Sequence, residues 1–183
     1  DFIEIAIRKL KKIDSSLSVE VGDITSLRFD DKSFKYILAF GLYHNLENDL
    51  DIAIKETYRV LENGGSVCAS FRADNIQTKL IDWFTKKNIH NKAFHKANLT
   101  RSEFKNVFEK EGFRVSSIVP VENMPILYKF SFFRESSHKI FDENIARSQG
   151  YRLSWFAKFC QNLLMKFFPD QFCNIYVLIA HKN

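Results

Sequence analysis

The feature that most constrains this chain is a strand–helix–strand pattern between residues 22 and 71. Residues 34–40 and 66–71 are apolar, strand-like runs. Within them Tyr36-Ile37-Leu38-Ala39 and Val67-Cys68-Ala69 are continuously apolar, as expected of strands that are buried on both faces. An amphipathic helix is predicted between them, over residues 48–63. A crossover helix joins parallel strands, so the pattern predicts an α/β protein whose core is a parallel sheet covered by helices.

Polar residues and glycines mark the ends of this unit. The run Asp30-Asp31-Lys32-Ser33 is a polar turn in front of the first strand. The run Asn63-Gly64-Gly65 is predicted to end the helix, because glycine adopts the left-handed cap conformation without a Cβ clash.

The same residues resemble a known protein family. The segment GDITSLRFDDKSFKYILAFGLYHNL, followed by RVLENGGSVCASF, resembles the middle of the class I S-adenosylmethionine-dependent methyltransferases. It is most similar to their UbiE-like (type 11) branch, and the resemblance extends over residues 1–120. The sequence departs from the family pattern at Arg28, which is usually proline, and at Glu62-Asn63, which is usually Lys-Pro. The resemblance implies a Rossmann-like sheet and methyl transfer to an oxygen, nitrogen or carbon nucleophile of a small molecule.

The start of the chain is the point at which the resemblance is incomplete. Residues 1–13 have the pattern of an amphipathic helix. In the family this helix follows a first strand, a glycine-rich turn and a second strand, yet no G-x-G occurs in this chain. We therefore expect an N-terminally truncated methyltransferase sheet that binds no cofactor on its own. A bare edge on the strand at residues 34–40 would make it poorly soluble. A natural protein that has lost cofactor binding is the alternative.

The resemblance assigns four residues to S-adenosylmethionine. Residues 17–21 alternate in polarity and correspond to the family's third strand. Asp23 follows this run and is expected to accept a hydrogen bond from the adenine amino group, while Ile24 packs on the ring. Phe40 and Gly41 are expected to present their backbone to the methionine part. As an alternative, Asp23 only caps the turn at Thr25.

The loop after the first strand of the pattern also supplies the predicted acceptor site. His44 lies where the family places methyl transfer, and a histidine can take a proton from a nucleophile near neutral pH. Tyr43 and Asn45 are its predicted substrate-contacting neighbours. As an alternative, His44 is only a helix-entry residue that bonds the backbone. A general base is optional in methyl transfer, because positioning supplies most of the catalysis.

The second half of the chain completes the predicted architecture. Helices are expected over residues 74–88 and 100–111, a strand over 113–121, and a last strand over 173–180. The family resemblance implies that this last strand lies antiparallel beside the run at 66–71. Residues 1–123 and 172–183 then form the methyltransferase domain, and residues 124–171 form a helical insertion. Within the insertion, 135–149 read as a polar helix and 153–168 as a strongly apolar one. The insertion is a lid or substrate-recognition element, a structural cap, or a membrane-surface helix.

Charge and composition leave other functions open. The net charge is +5, and the cations lie mainly beyond residue 71, which favours an anionic substrate or solvated helix faces. A tRNA or RNA methyltransferase is the second hypothesis, and a non-catalytic partner protein the third. The three cysteines have no metal-ligand spacing and suit reduced thiols in a cytoplasmic protein. No run is long enough for a transmembrane helix, and the pattern predicts neither a metal nor an oligomeric state.

Overall fold

The structure, a computed structural model, describes residues 2–14, 16–46, 48–86, 97–136 and 150–183. Within these residues, five α-helices are 10–13 residues long, and a sixth has only four residues. The helices are α1 (Phe2–Lys11), α2 (Leu50–Val60), α3 (Ile76–Lys86), α4 (Arg101–Lys110), α5 (Trp155–Phe167) and α6 (Pro169–Phe172). The strands are β1 (Phe34–Ala39), β2 (Leu61–Arg72), β3 (Phe113–Val121) and β4 (Ile175–Lys182).

The four strands form one sheet in the order β1-β2-β4-β3. Strands β1 and β2 are parallel and are joined by α2, which confirms the strand–helix–strand unit. Strand β4 lies antiparallel between β2 and β3, as predicted for the last strand. The predicted α/β fold with a helical insertion before the last strand is therefore confirmed. The polar helix predicted at 135–149 lies almost wholly outside the described residues.

The main core lies between one face of the sheet and the helices α2 and α4. Phe104 and Phe108 of α4 are fully buried, and their rings meet edge to face at 5.5 Å. Ala53 and Ile54 of α2 are equally buried and belong to the same cluster. A capping box at Thr100 starts α4, since Glu103 and Thr100 exchange side-chain and backbone hydrogen bonds. The sequence pattern of these two helices is therefore satisfied by one packed layer.

The end of α2 differs from the prediction. The helix stops at Val60, and β2 begins at once with Leu61. Leu61 pairs with Phe34 while Ser66 pairs with Tyr36, so the residues between them bulge out of the ladder. Gly64 has φ +76, and a Cβ on Gly65 would lie 2.9 Å from the Glu62 carbonyl oxygen. These glycines thus lie in a bulge near the start of β2 and do not cap the helix.

The strand expected over residues 17–21 is absent, and that prediction is wrong. The segment has no regular structure, and Leu17 and Val21 are 48% and 71% exposed. A strand needs a neighbour to receive its backbone hydrogen bonds. Among the described residues, β1 pairs only with β2, and its outer edge pairs with no other strand. The bare edge foreseen for this strand is therefore present.

The face of the sheet opposite the main core carries exposed apolar side chains near that edge. The register places Leu38 of β1, Cys68 of β2 and Ile179 of β4 in one row across the sheet. Leu38 is 74% exposed, its neighbour Tyr36 is 68% exposed, and Ile179 is 39% exposed. Apolar side chains next to an unpaired strand edge promote association between molecules.

We expect Leu38→Lys to reduce self-association of the chain without lowering its stability. A lysine here places a charge beside the bare edge, while the side chain it replaces contributes little buried area. Light scattering across a concentration series measures the effect, and urea unfolding checks stability. Ile52→Lys, on the half-exposed face of α2, is the matched control and should leave association unchanged. Equal association of all three proteins would show that the edge is not the contact.

Candidate functional site

A cavity of about 540 Å³ lies at the edge of the sheet where β1 and β2 end. Because β4 runs antiparallel to both β2 and β3, its first residues and the last residues of β3 reach the same edge. In open parallel sheets, ligands bind in the crevice beyond the strand ends. The lining residues are His44, Arg72, Thr78, Ile81, Asn123, Met124, Tyr151, Asn174 and Ile175.

His44 reaches this cavity from a short 3-10 turn, Tyr43–Asn45, that follows β1. Its backbone carbonyl accepts a hydrogen bond of 2.9 Å from the amide of Ala97. Its ring lies edge-on to Phe71 of β2, with 6.3 Å between the ring centroids. The imidazole is therefore fixed by backbone and ring contacts at the wall of the cavity. Both predicted roles of His44, backbone anchoring and access to a ligand, are compatible with this placement.

Tyr43 points away from the cavity and into the main core. It is fully buried, and its hydroxyl lies 2.6 Å from Oγ1 of Thr57 in α2. Burial raises the pKa of Tyr43 to about 12, although the hydrogen bond to Thr57 opposes the rise. This geometry argues against the predicted substrate contact. Tyr43 instead ties the site loop to α2.

Asn45 and Gly41 hold each other within the same loop. The side-chain amide of Asn45 donates a hydrogen bond of 2.8 Å to the Gly41 carbonyl. The Gly41 amide in turn donates to Oγ of Ser70 at 3.0 Å. Gly41 has φ +70, and no atom lies within 4 Å of the position that a Cβ would occupy. The backbone at Gly41 is thus fixed on one side and open on the other, and Phe40 beside it is 55% exposed.

Asp23 forms the turn that the sequence suggested as its alternative role. Its Oδ1 accepts hydrogen bonds from the amide and the hydroxyl of Thr25, at 2.9 and 2.7 Å. Both bonds lower the pKa of Asp23. Among the described residues, no hydrogen bond to its second oxygen is found, so one acceptor oxygen faces outward. Ile24 is half-buried and packs against the main core.

Sequence reasoning missed Arg72, Asn123 and Asn174. Nη2 of Arg72 donates to Asp82 at 2.8 Å, and Arg72 is the one charged side chain among the described residues that line the cavity. Oδ1 of Asn174 accepts from the amides of Asn123 and Met124, which fixes the chain leaving β3. All of them lie at or next to strand ends. Their position beside predicted strand ends is the sequence feature that could have identified them as cavity residues.

A second group of polar side chains is buried behind the cavity. Nε2 of Gln77 donates to the carbonyl of Met124 at 3.3 Å, and Gln77 is fully buried. Gln161 of α5 is 2% exposed. Burial raises the pKa of Glu122 to about 7, and the amide of Gln161 opposes part of this rise. The ionised form of Glu122 is therefore disfavoured in the folded chain.

We expect Glu122→Gln to stabilise the fold at pH 8 and to have little effect at pH 4. As pH rises from 4.5 through about 7, the unfolded chain loses the Glu122 proton first, so the natural protein loses stability over this range. Glutamine removes that loss, which amounts to about 1–2 kcal/mol after allowing for partial solvent exposure. Urea unfolding at both pH values measures the difference. Glu109→Gln, on the exposed face of α4, should follow the natural protein, and a parallel shift in both variants would contradict the assignment.

Comparison with known proteins agrees with this arrangement. Residues 1–69 match the family model described as a methyltransferase domain. The UbiE ubiquinone/menaquinone biosynthesis C-methyltransferases of two Rhodopseudomonas palustris strains are each 35% identical over 95 residues. That match covers 49% of this chain but only 37% of the relative.

Solved structures share the fold over nearly the whole chain. A SAM-dependent methyltransferase from Methanosarcina mazei has a TM-score of 0.58 at 16% identity, and the match covers 100% of this chain and 79% of that one. The MccD protein has a TM-score of 0.57 at 22% identity, with 99% and 75% covered. The sheet is thus that of the Rossmann-like class I methyltransferases. Residues 1–69 thus match a methyltransferase domain, and the similarity to UbiE-like methyltransferases that the sequence suggested is confirmed.

Proposed function

We propose that this chain forms the acceptor-binding part of an S-adenosylmethionine-dependent methyltransferase that acts on a small molecule. The observation that carries the proposal is the cavity at the strand ends, in which His44 and Arg72 lie together. The methyltransferase-domain match ends at residue 69, near the carboxyl end of β2 and three residues before Arg72, which lines the cavity. When bound, the cofactor supplies an electrophilic methyl group on a sulfonium.

Two features of the chain fit the proposed cofactor. The outward oxygen of Asp23 is a charged acceptor that suits the amino group of an adenine. The open side of Gly41 leaves room for a ligand to approach the backbone, and a side chain there would narrow that space. In this proposal Asp23 and Ile24 hold the adenine, while Phe40 and Gly41 hold the methionine part.

His44 is the proposed proton acceptor. An alcohol, a phenol or a primary or secondary amine gives up a proton in the course of methyl transfer, and a C–H acceptor gives one up before or after the methyl group is added. An imidazole at the cavity wall, held by the backbone bond to Ala97, can accept that proton without rearranging the loop. Asn45 positions the loop through Gly41. Tyr43 is kept in the proposal only as a structural anchor.

Arg72 favours an acceptor that carries negative charge. Its pairing with Asp82 occupies one edge of the guanidinium, and the side chain remains 22% exposed at the cavity. A guanidinium binds planar anions through two parallel hydrogen bonds, so a carboxylate or phosphate on the acceptor would suit it. This agrees with the basic character of the second half of the chain.

The insertion at residues 124–171 completes the proposed acceptor site. Met124, its first residue, and Tyr151, in its second half, line the cavity. Tyr151 packs edge-on against Tyr128, with 5.1 Å between the ring centroids. We assign the insertion to substrate recognition, since loops on a rigid sheet are where specificity residues are commonly placed.

We expect Asp23→Ala to weaken S-adenosylmethionine binding by about 1–3 kcal/mol, because a charge-assisted hydrogen bond is lost. Calorimetry on the natural protein that contains this sequence measures the change. Asp14→Ala is the matched control, since Asp14 makes the same pair of hydrogen bonds, to the amide and hydroxyl of Ser16 at 2.8 and 2.7 Å. Equal affinity of the Asp23 and Asp14 variants would remove Asp23 from the cofactor site.

We expect His44→Asn to lower kcat for methyl transfer by about 10²–10⁴-fold while leaving cofactor affinity unchanged, because only proton transfer is lost. Initial rates over a range of acceptor concentrations measure this. His181→Asn is the control, since His181 pairs with Ser66 and Ser116 at the opposite end of the sheet. A His44 variant that retains full kcat would leave His44 a structural role only.

A further inference from the structure

Helix α5 leaves most of its large apolar side chains in solvent. Trp155, Phe156, Phe159, Leu163 and Phe167 are 81%, 54%, 54%, 39% and 64% exposed. With 3.6 residues per turn, these five side chains fall on one stripe that spans about 120° of the helix. Exposed apolar surface of this extent marks an interaction site.

The core uses the other side of the helix. Ala157 is fully buried and packs with Tyr128 and Leu153, and Gln161 lies one turn further along. From the sequence, the wide apolar face of this helix could also have been part of the core. In the structure, Ala157 faces the interior instead. The stripe is therefore not required to hold α5 on the protein.

A neighbouring turn extends the apolar surface. The amide of Ser154, directly before α5, donates to the Phe133 carbonyl at 2.8 Å. This bond holds the turn at Ser131–Phe133 against the start of the helix, and Phe132 in that turn is 83% exposed. Along the helix, the rings of Trp155 and Phe159 stack at 6.5 Å. We define the aromatic surface as the five stripe residues together with Phe132.

The charges within residues 150–168, which include α5, have one sign, while Glu135 lies beside Arg152 through a bond from its backbone amide. Residues 150–168 contain Arg152, Lys158 and Lys166 and no aspartate or glutamate. On the helix, Lys158 falls about 60° beyond Trp155, outside the stripe, and Lys166 falls within the stripe, between Trp155 and Phe159. The ammonium of Lys166 lies 5.7 Å from the Phe167 ring, so its stem runs along the apolar surface. Tryptophan and phenylalanine flanked only by cations are typical of helices that lie in an anionic lipid interface.

We propose that α5 binds the surface of an anionic membrane, with the aromatic surface among the acyl chains and the lysines at the headgroups. The inner side of α5 packs on Tyr128, which also contacts Tyr151 of the cavity wall. Membrane binding would therefore bring the cavity close to the lipid surface. This inference does not depend on methyl transfer and would stand if the chain had another activity.

Vesicle sedimentation of the 183-residue chain tests the proposal. Vesicles of phosphatidylcholine alone are compared with vesicles in which one lipid in three is phosphatidylglycerol. We expect binding to the anionic vesicles, weakened about tenfold or more by Phe159→Ser, since a buried aromatic ring is lost. Lys158→Gln should weaken it about fivefold, and added salt should do the same. Leu38→Ser, which removes an apolar residue from the sheet that is more exposed than Phe159, is the control and should bind normally.

Fluorescence gives a readout that needs no change in the helix. The chain has two tryptophans, Trp83 and Trp155, so Trp83→Phe leaves Trp155 as the only indole. Its emission should shift to the blue with anionic vesicles. Absence of both sedimentation and shift would overturn the proposal, as would equal loss of binding in the Phe159 and Leu38 variants. A dimer in solution that Phe159→Ser dissociates, without vesicle binding, would assign the surface to a second copy instead.

Discussion

The parallel pairing of β1 with β2 is the constraint on which the rest of the structure depends. Because the two strands run in the same direction, their carboxyl ends reach one edge of the sheet, and the loops that follow them meet there. This brings His44, five residues after β1, close to Arg72 at the end of β2. Strand β4 runs antiparallel to β2, which brings its first residues to the same edge. The position of the cavity is therefore set by the directions of the strands, and the side chains only line it.

The loop that carries the candidate site is held by the core itself. Tyr43 is buried against Thr57 and Phe108, so the residue next to His44 is part of the main hydrophobic cluster. On the other side, Gly41 is hydrogen bonded to Ser70 of β2 and to Asn45. A site loop that is fixed at both ends loses little conformational freedom when a ligand binds, and this favours accurate positioning of the ligand.

The insertion between β3 and β4 has two different surfaces. Its inner side contributes Met124 and Tyr151 to the cavity, while the outer side of α5 exposes a row of aromatic residues. Tyr128 and Leu153 connect them in a small hydrophobic cluster of their own. Because this cluster is separate from the main core, changes in the insertion need not disturb the packing on the sheet. Among the described residues, no helix is long and apolar enough to cross a bilayer. That finding bears on membrane-spanning helices and not on a helix that lies on a membrane surface.

The sequence by itself determined the strand–helix–strand unit, because that unit depends on local periodicity and on residue types that only certain backbone conformations accept. The antiparallel placement of the last strand was implied by the family resemblance. The tertiary structure alone decided that residues 17–21 are not a strand, because a strand exists only beside a partner that receives its hydrogen bonds. It also decided that Tyr43 faces the core, that Arg72 and Asn174 share a cavity, and that the stripe on α5 faces outward. Periodicity shows that a helix has an apolar face, but which neighbour that face meets depends on the packing of distant segments, which no local pattern records.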